Sequence, residues 1–398
     1  MTVTVTANEL ASRAGELACL GPKTRNPRIL QIVTRANVGG VAVHVVDLLR
    51  GLQDDFDMIL ATGEEGYLTE EARALGIECH FLPGLVQKID PLSDLKAVSS
   101  TVRAMRKIQP DMVHCHTTKA GLIGRLAARL LNVPAIYTVH TWCFTKGTAR
   151  SWRIFGPPSE TVAARWAQRI ITVSDANRMA GIRRRVAGPE KFVTVHNGVE
   201  DCFARAKPAV GKVPRIVMVA RFVAQKNQAL LIDAVNAVGS PVVLTFVGDG
   251  PLQQQAMQKA ASCPAHIKVE FLGEQRDVTK ILSSSNLFVL STNWEGFPVS
   301  VLEAMRAGLP VIAMDVDGVR EAVKNGDNGL LVPAGDLDAL SDAIRTLIGD
   351  PALRERMGAR GRLAYEERFS IDGMLRKTRS VYEDILRGHA PNADRDVQ

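Results

Sequence analysis

At 398 residues the chain is longer than one ordinary core supports, and length alone predicts two domains or three. An apolar fraction of 46% with 23% charged residues is that of a globular protein, and no run of 18 apolar residues occurs, which excludes a membrane-spanning helix. The formal net charge of +7 is concentrated early: residues 1–200 hold 25 Lys/Arg against 18 Asp/Glu and residues 101–200 hold 16 against 5, so this half should attract anions.

Residues 1–25 lack the basic start and unbroken apolar stretch of a secretory signal. Asn8 is placed to cap a short helix ended by Gly21-Pro22, in a segment expected to be weakly ordered. From residue 26 short apolar runs alternate with helical spacing. Residues 29–33 (ILQIV) precede Gly39-Gly40, and 41–52 then have helical spacing. Runs at 56–61, 112–115, 135–139 and 170–173 follow, with helices expected at 95–108 and 120–131, and 193–196 (VTVH) closes the series.

Residues 201–214 are aperiodic and carry two prolines, so they read as a linker. A second series of runs lies at 216–219, 242–247, 269–272, 287–290 and 310–313, and a last helix at 371–386 is expected to pack back on the first domain. Continuous Val/Ile-rich runs alternating with helices indicate parallel strands covered on both faces. The fold class is therefore α/β, with two Rossmann-like doubly wound domains at 26–200 and 201–370 and a crossover helix and tail at 371–398. Their strand C-termini should face a shared cleft. Six scattered cysteines without a C-x-x-C pair predict reduced thiols in a cytoplasmic setting.

The chemistry concentrates in two segments. Residues 293–310 (NWEGFPVSVLEAMRAGLP) place Glu295 in a loop after a strand and Glu303 eight residues on, inside a helix that begins near Pro298. Proline suits a helix start because first-turn N–H groups lack internal partners, and those groups with the helix dipole form an anion site suited to a diphosphate. Glu303 can accept hydrogen bonds from vicinal hydroxyls such as a ribose's. Glu295 stands near whatever lies beyond the phosphates. Residues 217–227 (VMVARFVAQKN) set Arg221 directly after a strand and Lys226 five residues later. Two cations at a strand C-terminus suit negative charge developing on a departing diphosphate.

His140 stands at the end of the 135–139 strand, where open parallel sheets place ligand groups. His114 and His116 alternate on one strand and face one side, but zinc needs a third ligand and the sequence offers no candidate. Arg183-Arg184-Arg185 and residues 146–153 (KGTARSWR), with Phe144, Trp152 and Phe155 nearby, suit contact with an anionic membrane surface. Plain solvated charge is the other reading and stays open. No nucleic-acid module is present and the second half is neutral, so no nucleic-acid partner is expected.

Nine stretches in order resemble glycosyltransferase family 4, the retaining enzymes of GT-B fold. They are NVGG, DMVHCHTTKAGLIGRLAARL, YTVH, ITVSD, VHNGV, VARFVAQKN, FVGDGPL, EGFPVSVLEAMRAGLPVI and NGLLVPAGD, spread over about residues 28–385. The resemblance implies that Glu303 holds the donor ribose and Glu295 the hydroxyls of the transferred sugar. It implies that Arg221 and Lys226 bind the diphosphate, that Gly39 and Gly40 bring backbone close to it, and that Gly296, Phe297, Pro298 and Val299 line the donor. His140 would contact the donor sugar near the reaction centre.

The same resemblance implies a nucleotide-diphosphate sugar, a UDP-linked hexose or N-acetylhexosamine first and GDP-mannose second, with no essential metal or other cofactor. The acceptor would be a polyprenyl-diphosphate-linked or other glycan in surface-polysaccharide or exopolysaccharide synthesis, at the inner face of the cytoplasmic membrane. Ala220 in place of the usual glycine, Gln225-Lys226-Asn227 in place of E-K-G, and Pro298 in place of a common glycine leave the sugar's identity open. Two alternatives share the fold: a nucleotide-sugar 2-epimerase and a catalytically idle scaffold subunit. An NAD(P) oxidoreductase is disfavoured, because Gly248-Asp249-Gly250 lacks the third glycine and does not follow the first strand.

Overall fold

The computed structural model describes residues 25–389 except Lys146 and Ala149. The helix expected between Asn8 and Gly21 and the tail from 390 lie outside the described residues. The first sheet has seven strands: β1 (Arg28–Val33), β2 (Asp57–Thr62), β3 (Glu78–Phe81), β4 (Met112–His116), β5 (Ala135–Val139), β6 (Arg169–Thr172) and β7 (Phe192–Thr194). All pair in parallel, in the order β3-β2-β1-β4-β5-β6-β7. The second has six: β8 (Arg215–Val219), β9 (Val242–Val247), β10 (Ile267–Phe271), β11 (Leu287–Leu290), β12 (Val311–Met314) and β13 (Gly329–Val332), also parallel, ordered β10-β9-β8-β11-β12-β13. The strand order reverses between β1 and β4 and again between β8 and β11, which puts a crevice at the C-terminal ends of each pair.

The apolar runs become central strands because both faces are covered. β4, β5, β11 and β12 are buried at every residue. Two edge strands depart from the expected pattern: β3 (ECHF) is exposed at both ends and carries no apolar run, and β13 (GLLV) is half-buried at its centre. The segment 201–214 is aperiodic but not loose. Asn286 Nδ2 donates to the Pro208 and Val210 carbonyls at 3.1 and 2.7 Å, and Arg354 Nε donates to Pro208 at 2.7 Å, which ties it to the second domain.

The helix Ile371–Gly388 returns to the first domain. Its stripe of Met374, Val381, Tyr382 and Ile385 is buried in the same core as Ile29, Val45, Leu49 and Phe56. The two chain crossings between the domains run side by side. Val199 N–H donates to the Phe369 carbonyl and Ile371 N–H to the Val199 carbonyl, both at 3.0 Å. A Cβ at residue 198 would lie 2.4 Å from the Ser370 carbonyl oxygen, so glycine permits this close approach.

Candidate active site

The interdomain floor gathers the ends of β1, β4 and β5 from one lobe and of β8 and β11 from the other. Two helices begin there with their N-termini close together: Gly40–Leu52 from the first lobe and Val299–Ala307 from the second. They are close enough that a Cβ on Gly40 would touch Val299 Cγ2 at 3.7 Å. Two sets of unpaired first-turn N–H groups thus share one space, which concentrates positive potential there. Pro298 is the residue before the helix, extended at φ −77° and ψ 114°, rather than its first turn, so the free N–H groups begin at Val299.

Glu295 and Lys226, expected to serve different parts of a donor, meet directly: the Lys226 ammonium donates to Glu295 Oε1. The Thr292 hydroxyl donates to the same oxygen at 2.8 Å. Among the described residues no hydrogen bond reaches Oε2, which is left to accept from an incoming hydroxyl. Asn227, next to Lys226, has a left-handed backbone (φ 48°, ψ 49°) that suits asparagine as the nearest substitute for glycine. Arg221 lies at the rim with an exposed side chain that makes no ion pair among the described residues; its carbonyl accepts from Gln228 Nε2 at 2.9 Å.

The Glu295 loop crosses the first lobe. A Cβ on Gly296 would lie 1.6 Å from the His140 carbonyl oxygen, and the Phe297 carbonyl accepts from Asn197 Nδ2 at 3.0 Å. Phe297 itself is buried, and Gly39 caps the opposing helix with extended backbone. Glu303 faces the cleft from inside its helix. Burial pushes its carboxyl up to about 7, opposed by Arg306 and assisted by Asp277. Asp47, on the facing helix, is also pushed up to about 7, by burial first, with Arg50 opposing and Glu200 and Glu303 adding repulsion. Asp47 therefore senses Glu303 across the lobes, as the smallest of these influences.

His140 does not stand alone. His116 Nδ1 and His140 Nε2 are 3.2 Å apart, and His114 and His116 pack with ring centroids at 4.1 Å. His44 approaches from the helix Gly40–Leu52, its ring 4.9 Å from that of His140. His44, His116 and His140 each offer a nitrogen within 4.8 Å of the others, so the third imidazole that the sequence did not reveal is supplied by the fold. His44, Asp47, Gln31 and Tyr382 carry no motif; only the burial of His44, Gln31 and Tyr382 and the raised carboxyl of Asp47 mark them.

A carboxylate of the second lobe also caps a helix of the first. Glu321 accepts from the Asp175 and Ala176 N–H groups at 2.9 and 2.8 Å and from His196 Nε2 at 2.7 Å. On the far side Arg276 reaches Glu70 at 2.9 Å. The basic, aromatic surface is partly assembled: Arg184 lies over the Phe144 ring at 5.3 Å, and Phe144 stacks on Trp142. Ile154 and Phe155 are 56% and 64% exposed on the helix Arg150–Ala164. Beside them runs an apolar groove of ≈ 430 Å³ lined by Leu122, Ile123, Leu126, Pro158, Val162 and Trp166. Among the described residues no helix is long and apolar enough to cross a membrane.

Residues 38–201 match Glycosyltransferase Family 4, and residues 202–364 match Glycosyl transferases group 1. The chain is 28% identical over 385 residues to the UDP-Gal:alpha-D-GlcNAc-diphosphoundecaprenol alpha-1,3-galactosyltransferase of Escherichia coli, covering 89% of this chain and 98% of that protein. It is 30% identical over 286 residues to the phosphatidyl-myo-inositol mannosyltransferase of Mycobacterium leprae, covering 69% and 74%. Among solved structures, Anabaena HepE in complex with UDP and glucose superposes with a TM-score of 0.77 at 22% identity, covering 90% of this chain and all of that one.

Proposed function

This chain belongs to glycosyltransferase family 4 and is a glycosyltransferase of GT-B fold, and on that premise we propose a specific reaction for it. It transfers a hexose or N-acetylhexosamine from a UDP-sugar, with retention, to a polyprenyl-diphosphate-linked glycan for surface polysaccharide. The observation that carries this reading is the pairing of Lys226 with Glu295 beside His140, between two opposed helix N-termini.

In this reading the diphosphate lies between the N-termini at Gly40 and Val299. Arg221 and Lys226 carry its charge, so no resident metal is assigned. Glu303 accepts from the ribose hydroxyls, and Glu295 accepts sugar hydroxyls at its free Oε2. As the glycosidic bond to the phosphate breaks, Lys226 and the helix dipoles stabilise the charge left on the leaving group. His140 contacts the sugar beside the reacting carbon, and the acceptor hydroxyl attacks from the same face as its proton passes to the departing phosphate oxygen. Closure of the lobes excludes water, which would otherwise hydrolyse the donor.

A lipid-linked acceptor is supported by the E. coli relative's substrate and by the basic first lobe, whose apolar groove and exposed Ile154 and Phe155 suit a membrane face. The test incubates the protein and membranes with a panel of labelled nucleotide sugars. Label in the solvent-extractable lipid fraction supports the acceptor, and label only in water-soluble product refutes it. An inverted anomeric centre in the product, read by NMR, refutes retention. Conversion of a UDP-N-acetylhexosamine without acceptor would establish the epimerase alternative.

A further inference from the structure

We infer that Gln31 and Tyr382 are positioning residues that set which proton His140 presents to the cleft. The inference rests on the proposed contact of His140 with the sugar. Three bonds run from the last helix through Gln31 and His116 to His140, and a fourth joins the same tyrosine to His114. The Tyr382 hydroxyl sits 2.6 Å from His114 Nδ1 and 2.9 Å from Gln31 Nε2. Gln31 Oε1 sits 2.8 Å from His116 Nε2, and His116 Nδ1 sits 3.2 Å from His140 Nε2. A branch ties His114 Nε2 to the Thr138 hydroxyl at 2.7 Å. Gln31, His114, His116, Thr138 and Tyr382 are fully buried.

Burial and mutual repulsion hold all the imidazoles of this cluster well below the usual histidine range, so each ring is neutral and carries one N–H. That makes the network directional. With the Gln31 amide nitrogen toward Tyr382, the tyrosine must give its only proton to His114 Nδ1, and His114 Nε2–H donates to Thr138. Gln31 Oε1 then accepts from His116 Nε2–H, so His116 Nδ1 is a lone pair and must accept from His140 Nε2–H. His140 Nδ1 is left as an acceptor.

Turning the amide over reverses every bond: Tyr382 donates to Gln31, His116 donates to His140, and His140 Nδ1 becomes the donor. Any mixed arrangement strands a buried polar group. Two settings remain, and the single tyrosine proton links the choice at Gln31 to the choice at His114. The fold thereby couples Gln31, beside the catalytic floor, to a hydroxyl 351 residues away in the chain.

The test is 15N NMR of the full-length protein, in which the two nitrogens of a neutral imidazole are distinguished by shift. Wild type should show one His140 tautomer, and both Tyr382→Phe and Gln31→Met should show a mixture or the opposite one. Tyr382→Phe should also lower kcat by about ten-fold with little change in donor KM, the scale of one misplaced hydrogen bond. Val381→Ala, on the same helix but outside the network, controls for destabilisation and should leave the tautomer alone. An unchanged His140 signature in Tyr382→Phe overturns the inference, as does a stoichiometric metal ion bound by His44, His116 and His140 in the purified protein. If His140→Gln keeps full turnover while the tautomer still responds to Tyr382→Phe, the sugar contact is wrong and the relay stands.

Discussion

The Lys226 ammonium and the Thr292 hydroxyl hold the same oxygen of Glu295, so the carboxylate is fixed at one end and open at the other. The pair joins the loop after β8 to the loop after β11, and both side chains are mostly buried. Replacing Lys226 with Ala removes the cation proposed to stabilise the leaving group and should lower kcat by about 10²–10³, while Lys226→Arg should recover part of it. Because the pair acts as a unit, Lys226→Ala/Glu295→Ala should lose less than the sum of the single losses. Initial-rate kinetics on the four proteins check this, and strictly additive losses would show that the two side chains act independently.

Glu303 gives a pH signature with a definite sign. Its folded-state value of about 7 lies above the usual carboxyl value of 4.5, so folding is favoured when the group is neutral. That contribution is fully present below pH 4.5 and is lost as pH rises through 7. Asp47 acts in the same direction. A ribose hydroxyl, by contrast, donates best to the ionised carboxylate, so donor affinity should rise over the range in which unliganded stability falls. Glu303→Gln should flatten both trends in thermal-shift and calorimetric UDP titrations; a wild-type affinity independent of pH between 6 and 8 would remove Glu303 from the donor site.

Gly296 has no room for a side chain. A methyl group there would collide with the His140 backbone, so Gly296→Ala must push the Glu295 loop off the first lobe. A displacement of about 1 Å is enough to cost about 10²-fold in rate. We expect that loss with the fold retained, measured by kcat beside a circular dichroism melt. Near-normal turnover would mean that the loop does not pack this way during the reaction.

The proposed membrane contact should depend on Ile154 and Phe155. Burying each apolar side chain contributes about 1.5–3 kcal/mol, so Ile154→Ser/Phe155→Ser should weaken binding to vesicles rich in phosphatidylglycerol by ten-fold or more. Added salt should weaken the wild type too, because Arg150 and Arg153 share that helix. Sedimentation with vesicles reads both effects; equal binding by the double variant would move the contact elsewhere.

The parallel architecture could be read before the structure because its central strands are buried on both faces and declare themselves as Val/Ile runs. β3 and β13 could not, since edge strands are only half covered and their residues look like loop. Lys226 and Glu295 were each visible as charged groups after a strand, but their contact spans 69 residues and no local pattern encodes it. His114 and His116 showed their shared face through alternation. Their partners Gln31, His44 and Tyr382 come from three other elements and have no spacing rule to announce them.

The return of the last helix to the first lobe means that the first lobe is not a continuous stretch of polypeptide, whereas the second is. A ribosome that has released residues up to 370 has made both sheets, yet Phe56 and Leu49 still lack the wall that Met374 and Tyr382 provide. The second lobe can mature first, while the first waits for the final 18-residue helix. A nascent chain lacking residues 371–388 would then carry the charged residues of the cleft without the buried surroundings that orient them, and competence would arrive only once that helix has been made.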